Sequence, residues 1–140
     1  MTHEFKASSV EELPHIAAFL LSKWGNFRIF AVYGRMGAGK TTFVKEICRQ
    51  LGATDQTNSP SYTLVNEYAA NGITIYHLDL YRLHDLDEAL DIGILDYLNS
   101  NAYCFIEWPQ IIKPLLDENC ISIHLHKEPD NSRLISIETP

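Results

Sequence analysis

The chain is short of positive charge. Eleven Lys and Arg face 18 Asp and Glu, a net charge of -7. Grip on nucleic acid comes largely from basic side chains that neutralise phosphates, so this balance argues against a protein that holds nucleic acid, DNA included, by itself. It leaves room for work beside a partner that does. Cysteine is scarce too: Cys48, Cys104 and Cys120 are odd in number, far apart and form no C-x-x-C pair. That is the pattern of buried, reduced thiols in a reducing compartment. Long apolar runs are missing. The greasiest stretch, IAAFLLSKWGNFRIFAVYG, is broken by Lys23, Gly25, Asn26 and Arg28, so no membrane span is expected. MTHEFK has no apolar segment after a basic start, and no signal peptide is expected. The expected location is cytoplasmic.

What is present fits one domain over residues 1–140, with 46% apolar and 21% charged residues. Leu13, Ile16, Ala17, Leu20 and Leu21 recur at helical spacing between Ser9 and Trp24, and Ser9 with Glu12 suggests a capping box. Pro14 leaves the start of that helix open. Short apolar runs rich in β-branched and aromatic residues predict strands at Arg28–Tyr33, Thr63–Tyr68, Ile73–Leu80, Ala102–Glu107, Cys120–His126 and Arg133–Thr139. Asn71-Gly72 predicts a hairpin turn. Thr41–Leu51 reads as a helix, His84–Asp96 as helical pieces interrupted by Gly93, and Pro109–Leu116 as one or two turns. Alternating strands and helices predict an α/β layered fold, and the hairpins make its sheet mixed, partly antiparallel.

Gly34-Arg-Met-Gly-Ala-Gly-Lys-Thr41 fits G-x-x-x-x-G-K-[ST], with a strand before it and a helix after it. Glycine lets the backbone turn several N–H groups onto one anion, and the helix start adds its positive end. Gly34, Gly37, Ala38, Gly39, Lys40, Thr41 and Thr42 are the predicted phosphate cradle. Lys40 reaches toward the β- and γ-phosphates, and the Thr41 hydroxyl toward Mg²⁺. A P-loop ATPase also needs a carboxylate near the metal. Asp79 and Glu107 each close a predicted strand, where ligands gather in parallel α/β sheets. One of the two holds Mg²⁺ and the other orients the attacking water; the residues alone do not assign them. No N-K-x-D guanine motif is present, which favours adenine and hence ATP.

A small-metabolite kinase shares this loop but needs basic residues over the transferred phosphate. After Arg82 the next arginine is Arg133, and the stretch between them is acidic. A nucleotide-dependent binding module with little hydrolysis is the other alternative. The polar loop Thr57–Tyr62 lies where switch segments sense a γ-phosphate. His77 beside Asp79 makes a poor metal pair, because Mg²⁺ prefers oxygen ligands. His124 and His126 share one face of a strand, as a surface stripe. Tyr81 and Arg82 are candidate contacts to nucleotide, partner or switch loop, with a plain salt bridge as the alternative for Arg82. Arg133 is a candidate to approach the base or the phosphates.

GRMGAGKTTF, SPSYTLVNEY, HLDLYRL and IEWPQ, in this order in a short chain, resemble the TsaE family (formerly YjeE) from the first helix to Pro109. The resemblance implies a P-loop ATPase in threonylcarbamoyladenosine (t6A) synthesis on adenosine 37 of tRNA. It implies TsaD and TsaB as partners, with tRNA engaged through them and ATP hydrolysis supporting repeated turnover. TsaC is implied as the upstream source of the threonylcarbamoyl-adenylate. Lys40 and Thr41 then bind phosphate and Mg²⁺, Asp79 is the catalytic acid, Glu107 is the metal ligand beside Thr41, and Trp108 borders the nucleotide. Ser59, Pro60 and Ser61 match a switch-like loop. Arg35, Ser61 and Gln110 depart from the residues common at their positions in the family, and none of the three is expected to abolish activity.

Overall fold

The computed structural model describes residues 1–56 and 64–140. The predicted switch-like loop, with Ser59, Pro60 and Ser61, lies outside the described residues. Strands β1 (Thr2–Ala7), β2 (Ile29–Tyr33), β3 (Ala53–Gln56), β4 (Val65–Ala70), β5 (Ile73–Asp79), β6 (Tyr103–Glu107), β7 (Cys120–Lys127) and β8 (Arg133–Glu138) form one mixed sheet. Their order is β1-β8-β7-β2-β6-β5-β4-β3. The central strands β7, β2, β6 and β5 run parallel, and the flanking pairs are antiparallel. The carboxyl ends of β2, β5 and β6 therefore meet on one side of the molecule. Asn71 (φ 49°) and Gly72 (φ 85°) both adopt the left-handed backbone that the predicted two-residue turn between β4 and β5 demands.

Helices α1 (Leu13–Trp24) and α2 (Lys40–Gln50) cover one face. In α2 the buried Phe43, Val44, Ile47 and Cys48 recur at helical spacing and pack with α1's Leu20 on Phe30, Val32, Phe105, Ile121 and Ile123. Phe30, Phe43 and Phe105 are fully buried, each contributing about 1.5–3 kcal/mol relative to an exposed side chain. The opposite face is covered by short pieces: α3 (Leu86–Asp91), α4 (Ile94–Leu98) and a 3-10 helix over Pro109–Leu115. These pack Ala89, Ile94 and Ile112 on Leu78, Cys104 and Ile106.

One expectation needs correcting and two strands were missed. The Ser9–Glu12 capping box does not form: Ser9 makes no side-chain cap, and Glu12 Oε2 accepts instead from the Ser8 N–H at 2.9 Å. A 3-10 turn over Val10–Glu12 precedes α1, which begins at Leu13 with Pro14 in its first turn, where its missing N–H costs nothing. Strands β1 and β3 have no counterpart in the sequence reading. All three cysteines are free and buried, and burial pushes Cys48 and Cys104 up to about 12 and Cys120 to about 11. Among the described residues, no helix is long and apolar enough to cross a membrane.

Candidate functional site

The glycine-rich segment leaves the end of β2, arches over the sheet and returns as α2. Its first turn of chain is tight enough that only glycine fits. A Cβ on Gly34 (φ 157°) would sit 2.8 Å from the Leu125 carbonyl oxygen. Gly37 and Gly39 continue with positive φ of 80° and 98°, and Gly39 caps α2. The N-terminal N–H groups of α2 lack carbonyl partners within the helix and face an anion site by default.

Lys40 is buried at 6% exposure and its ammonium is held at both ends of its range. Its Nζ donates to the Gly34 carbonyl at 2.5 Å and to that of Arg35 at 3.3 Å. It also lies 4.0 Å from the centre of the Trp108 ring, a cation–π distance. Burial lowers the Lys40 pKa, against which Glu107 and Asp79 hold it up. An ammonium has three donors, so one remains for a ligand.

Under the start of α2 lies Glu107, 3% exposed at the end of β6. The Thr41 Oγ1 is 2.8 Å from its Oε2 and 3.0 Å from its Oε1. Burial by itself would raise the Glu107 pKa. The His77 hydrogen bond, the Thr41 hydroxyl and Lys40 outweigh it and leave the carboxyl below its ordinary value. Asp79 sits directly across from Glu107 in the parallel pairing of β5 with β6, yet it is exposed. Among the described residues its Oδ1 accepts only the Tyr81 N–H, at 3.0 Å.

These groups wall one cleft of about 270 Å³, formed by residues 35–42, Asp79, Tyr81, Glu107 and Trp108. Of the predicted site residues only Gly34 is outside its wall, and Gly34 contributes the carbonyl that anchors Lys40. Trp108 adopts φ 55°, an unusual left-handed backbone for a large side chain, and stacks tilted against Tyr81 at 4.9 Å. Arg133 reaches the loop from β8. Its Nε donates to Ala38 O at 3.0 Å and its Nη2 to Gly37 O at 3.3 Å. It therefore braces the carbonyl side of the cradle while the N–H groups face the cleft. Arg82 is exposed and makes no ion pair with described residues; Arg35 and Gln110 are exposed as well.

Sequence reasoning passed over the role of His77. Its Nε2 lies 2.5 Å from Glu107 Oε2, and the ring is 4% exposed. The available signal was period two: His77 follows buried Ile75 on the face that leads to Asp79, so its ring points into the sheet-helix layer. Among the described residues, no cluster of three or more His, Cys, Asp or Glu offers a metal cage. The metal-competent set is smaller and harder: one carboxylate and one hydroxyl beside a phosphate cradle, which suits Mg²⁺, an ion that keeps waters and takes phosphate oxygens.

Known proteins resemble this chain. A family model described as threonylcarbamoyl adenosine biosynthesis protein TsaE matches residues 7–135. The tRNA threonylcarbamoyladenosine biosynthesis protein TsaE of Rickettsia conorii is 38% identical over 133 residues, 94% of this chain and 75% of that protein. Its namesake in Haemophilus influenzae is 40% identical over 110 residues, covering 77% of this chain and 70% of that one. The Bacillus subtilis protein of the same name is 34% identical over 108 residues, 77% and 67% respectively. The crystal structure of Bacillus subtilis YdiB superposes with a TM-score of 0.76 at 25% identity, over 98% of this chain and 84% of that chain. The chain belongs to the TsaE family of nucleotide-binding proteins in threonylcarbamoyladenosine biosynthesis on tRNA.

Proposed function

We propose that residues 1–140 act as one ATPase domain that hydrolyses ATP with Mg²⁺ in the cytoplasm to support turnover of a TsaB–TsaD pair on tRNA. The observation that carries this reading is the Thr41 hydroxyl seated on the Glu107 carboxylate, 2.8 Å away, at the mouth of the glycine cradle. A hydroxyl and a carboxylate at that spot have the donor set that would hold a hard cation, which would neutralise phosphate charge there.

Each residue then has a task. The N–H groups from Gly37 to Thr42 hold the phosphate oxygens. Lys40 keeps two donors on the loop and turns the third to the phosphate, neutralising charge that grows in the transition state. Thr41 and Glu107 hold Mg²⁺, which supplies charge neutralisation on the phosphates. Asp79, exposed and bonded through one oxygen among the described residues, accepts a hydrogen bond from the attacking water and orients it. Trp108 walls the cleft and keeps solvent from Lys40. A second hollow of about 290 Å³ shares Ala38, Gly39 and Thr42 with the first and is lined by Ala7, Val10, Leu13 and Leu125, with Arg133 at its wall. Its apolar character and its place beyond Thr42 make it the seat for base and ribose.

The partner arrangement follows from charge. A chain of net charge -7 draws little binding energy from tRNA phosphates, so tRNA is held by the partners. The test is phosphate release from ATP and Mg²⁺ by the purified chain, alone and with the TsaB–TsaD pair of its own organism. Release stimulated by the pair and lost in Lys40→Ala supports the reading. ATP bound without release in either setting overturns it in favour of a binding module, and phosphate appearing on an acceptor overturns it in favour of a kinase.

A further inference from the structure

Four polar or charged residues are buried among those described: Lys40, His77, Glu107 and Ser132. Lys40 and Glu107 have tasks in the cleft, and Ser132 is bonded locally to Asp130. His77 has no task in the hydrolysis reading, yet it makes the most enclosed polar contact in the cleft's floor. It lies two residues before Asp79 on β5, and Asp79 pairs with Glu107, so its ring sits diagonally beneath the Glu107 carboxylate. The contact is Nε2 to Oε2 at 2.5 Å, with both side chains 4% exposed.

The other ring nitrogen, Nδ1, is buried with no hydrogen-bond partner among the described residues. A buried N–H without an acceptor is costly. The proton therefore belongs on Nε2, and His77 donates to Glu107. Thr41 presents a single proton to two carboxylate oxygens and is itself committed to the cation when one is bound. A glutamate has three side-chain torsions and swings freely unless something fixes its end. His77 is the one described donor to Glu107 that has no other duty.

We propose that His77 is a positioning residue that locks one oxygen of Glu107 and so presents the other to the metal. This rests on the reading of Glu107 as the Mg²⁺ ligand. It concerns hydrogen-bond geometry, so the replacement amides must differ by reach. Glutamine can place its amide nitrogen near the Nε2 position. Asparagine is one methylene shorter, matches Nδ1 and leaves Glu107 unheld.

The experiment measures ADP affinity by calorimetry, with Mg²⁺ and with EDTA, for the intact chain and for His77→Gln, His77→Asn, His77→Leu and Glu107→Gln, alongside thermal melting. The gain in affinity on adding Mg²⁺ is the readout. Expected is a gain reduced about tenfold in His77→Asn and His77→Leu, the range seen for partners of metal ligands. Affinity in EDTA should stay within about twofold of wild type, because the phosphate cradle is untouched, and His77→Gln should restore most of the gain. If His77→Asn melts lower but keeps the full Mg²⁺ gain, the residue is structural and the proposal is overturned. Equal loss in His77→Gln and His77→Asn overturns it as well. Glu107→Gln separates the two layers: a full Mg²⁺ gain in that variant removes the metal role of Glu107 itself, whereas loss there with no loss in the His77 variants removes only the positioning role.

Discussion

The carboxyl ends of β5 and β6 lie side by side, carry an acid at the same register position, and have opposite surroundings. Glu107 ends a fully buried strand between β5 and β2, roofed by the first turn of α2 and bonded to Thr41 and His77. Asp79 ends the neighbouring strand one step closer to the edge, exposed, with one backbone N–H on one oxygen. Identical chemistry at identical height thus divides into a carboxylate fixed by neighbouring side chains and one left exposed. What lies over the strand decides this, since the pleat directs both side chains to the same face.

The sharpest way to break that comparison is to neutralise each acid. Asp79→Asn and Glu107→Gln should each lower turnover by roughly 10²–10⁴, the span expected for a positioned acid or base. Only Glu107→Gln should also lose the Mg²⁺-dependent part of nucleotide affinity. Turnover and calorimetry on the same preparations check it, and a Mg²⁺ defect confined to Asp79→Asn would exchange the two roles.

Acid titration probes the same contrast through stability. Glu107 has a folded pKa below its ordinary 4.5. The stabilisation this supplies is present above pH 4.5 and is lost as pH falls through the lower folded value. Wild type should therefore lose more melting temperature than Glu107→Gln as the buffer is taken below pH 4.5. Parallel melting curves for wild type and Glu107→Gln would show that the buried contacts contribute nothing at neutral pH.

Much of this site was legible because its signals are local. The spacing from Gly34 to Thr41, a strand before it and a helix after it announce a phosphate cradle without any tertiary knowledge. Asp79 and Glu107 were visible as acids closing apolar runs. Their division of labour was not, since it depends on what packs above them. His77 was set aside as a weak metal ligand, because a histidine's partner 30 residues away leaves no trace in spacing. Arg133 lies 95 residues from the carbonyl it holds. Strand β1 was overlooked because it half-exposes THEFKA at the sheet edge, with β8 as its sole pairing partner, and β3 because four polar-leaning residues carry no alternation. Edge strands are specified by their partner more than by their own pattern.

Arg133 sharpens the comparison from the far side of the loop. It braces the cradle through two of its carbonyls and also lines the hollow proposed for base and ribose. Arg133→Ala should cost about 1.5–3 kcal/mol of stability, the worth of hydrogen bonds to a charged group. It should weaken nucleotide binding equally with and without Mg²⁺. Denaturation and the paired calorimetric titrations distinguish this from a metal defect, which would appear only with Mg²⁺ present.

The smallest effect concerns the residue next to Glu107. Trp108 combines a favourable ring with an unfavourable backbone: it lies over Lys40 at 4.0 Å while holding φ at 55°. Losing the ring should cost about 0.5–2 kcal/mol through the cation–π contact. Left-handed backbone costs a non-glycine residue roughly 1–2 kcal/mol, which glycine does not incur. Trp108→Ala and Trp108→Gly lose the same ring, so their difference isolates the backbone. Trp108→Gly should be the more stable of the two by about 1 kcal/mol in urea denaturation, less glycine's own unfolded-state entropy. If alanine is the more stable, the backbone at 108 is not strained enough to offset that entropy. The left-handed turn would then be a consequence of where Glu107 ends its strand, with no share in fixing it there.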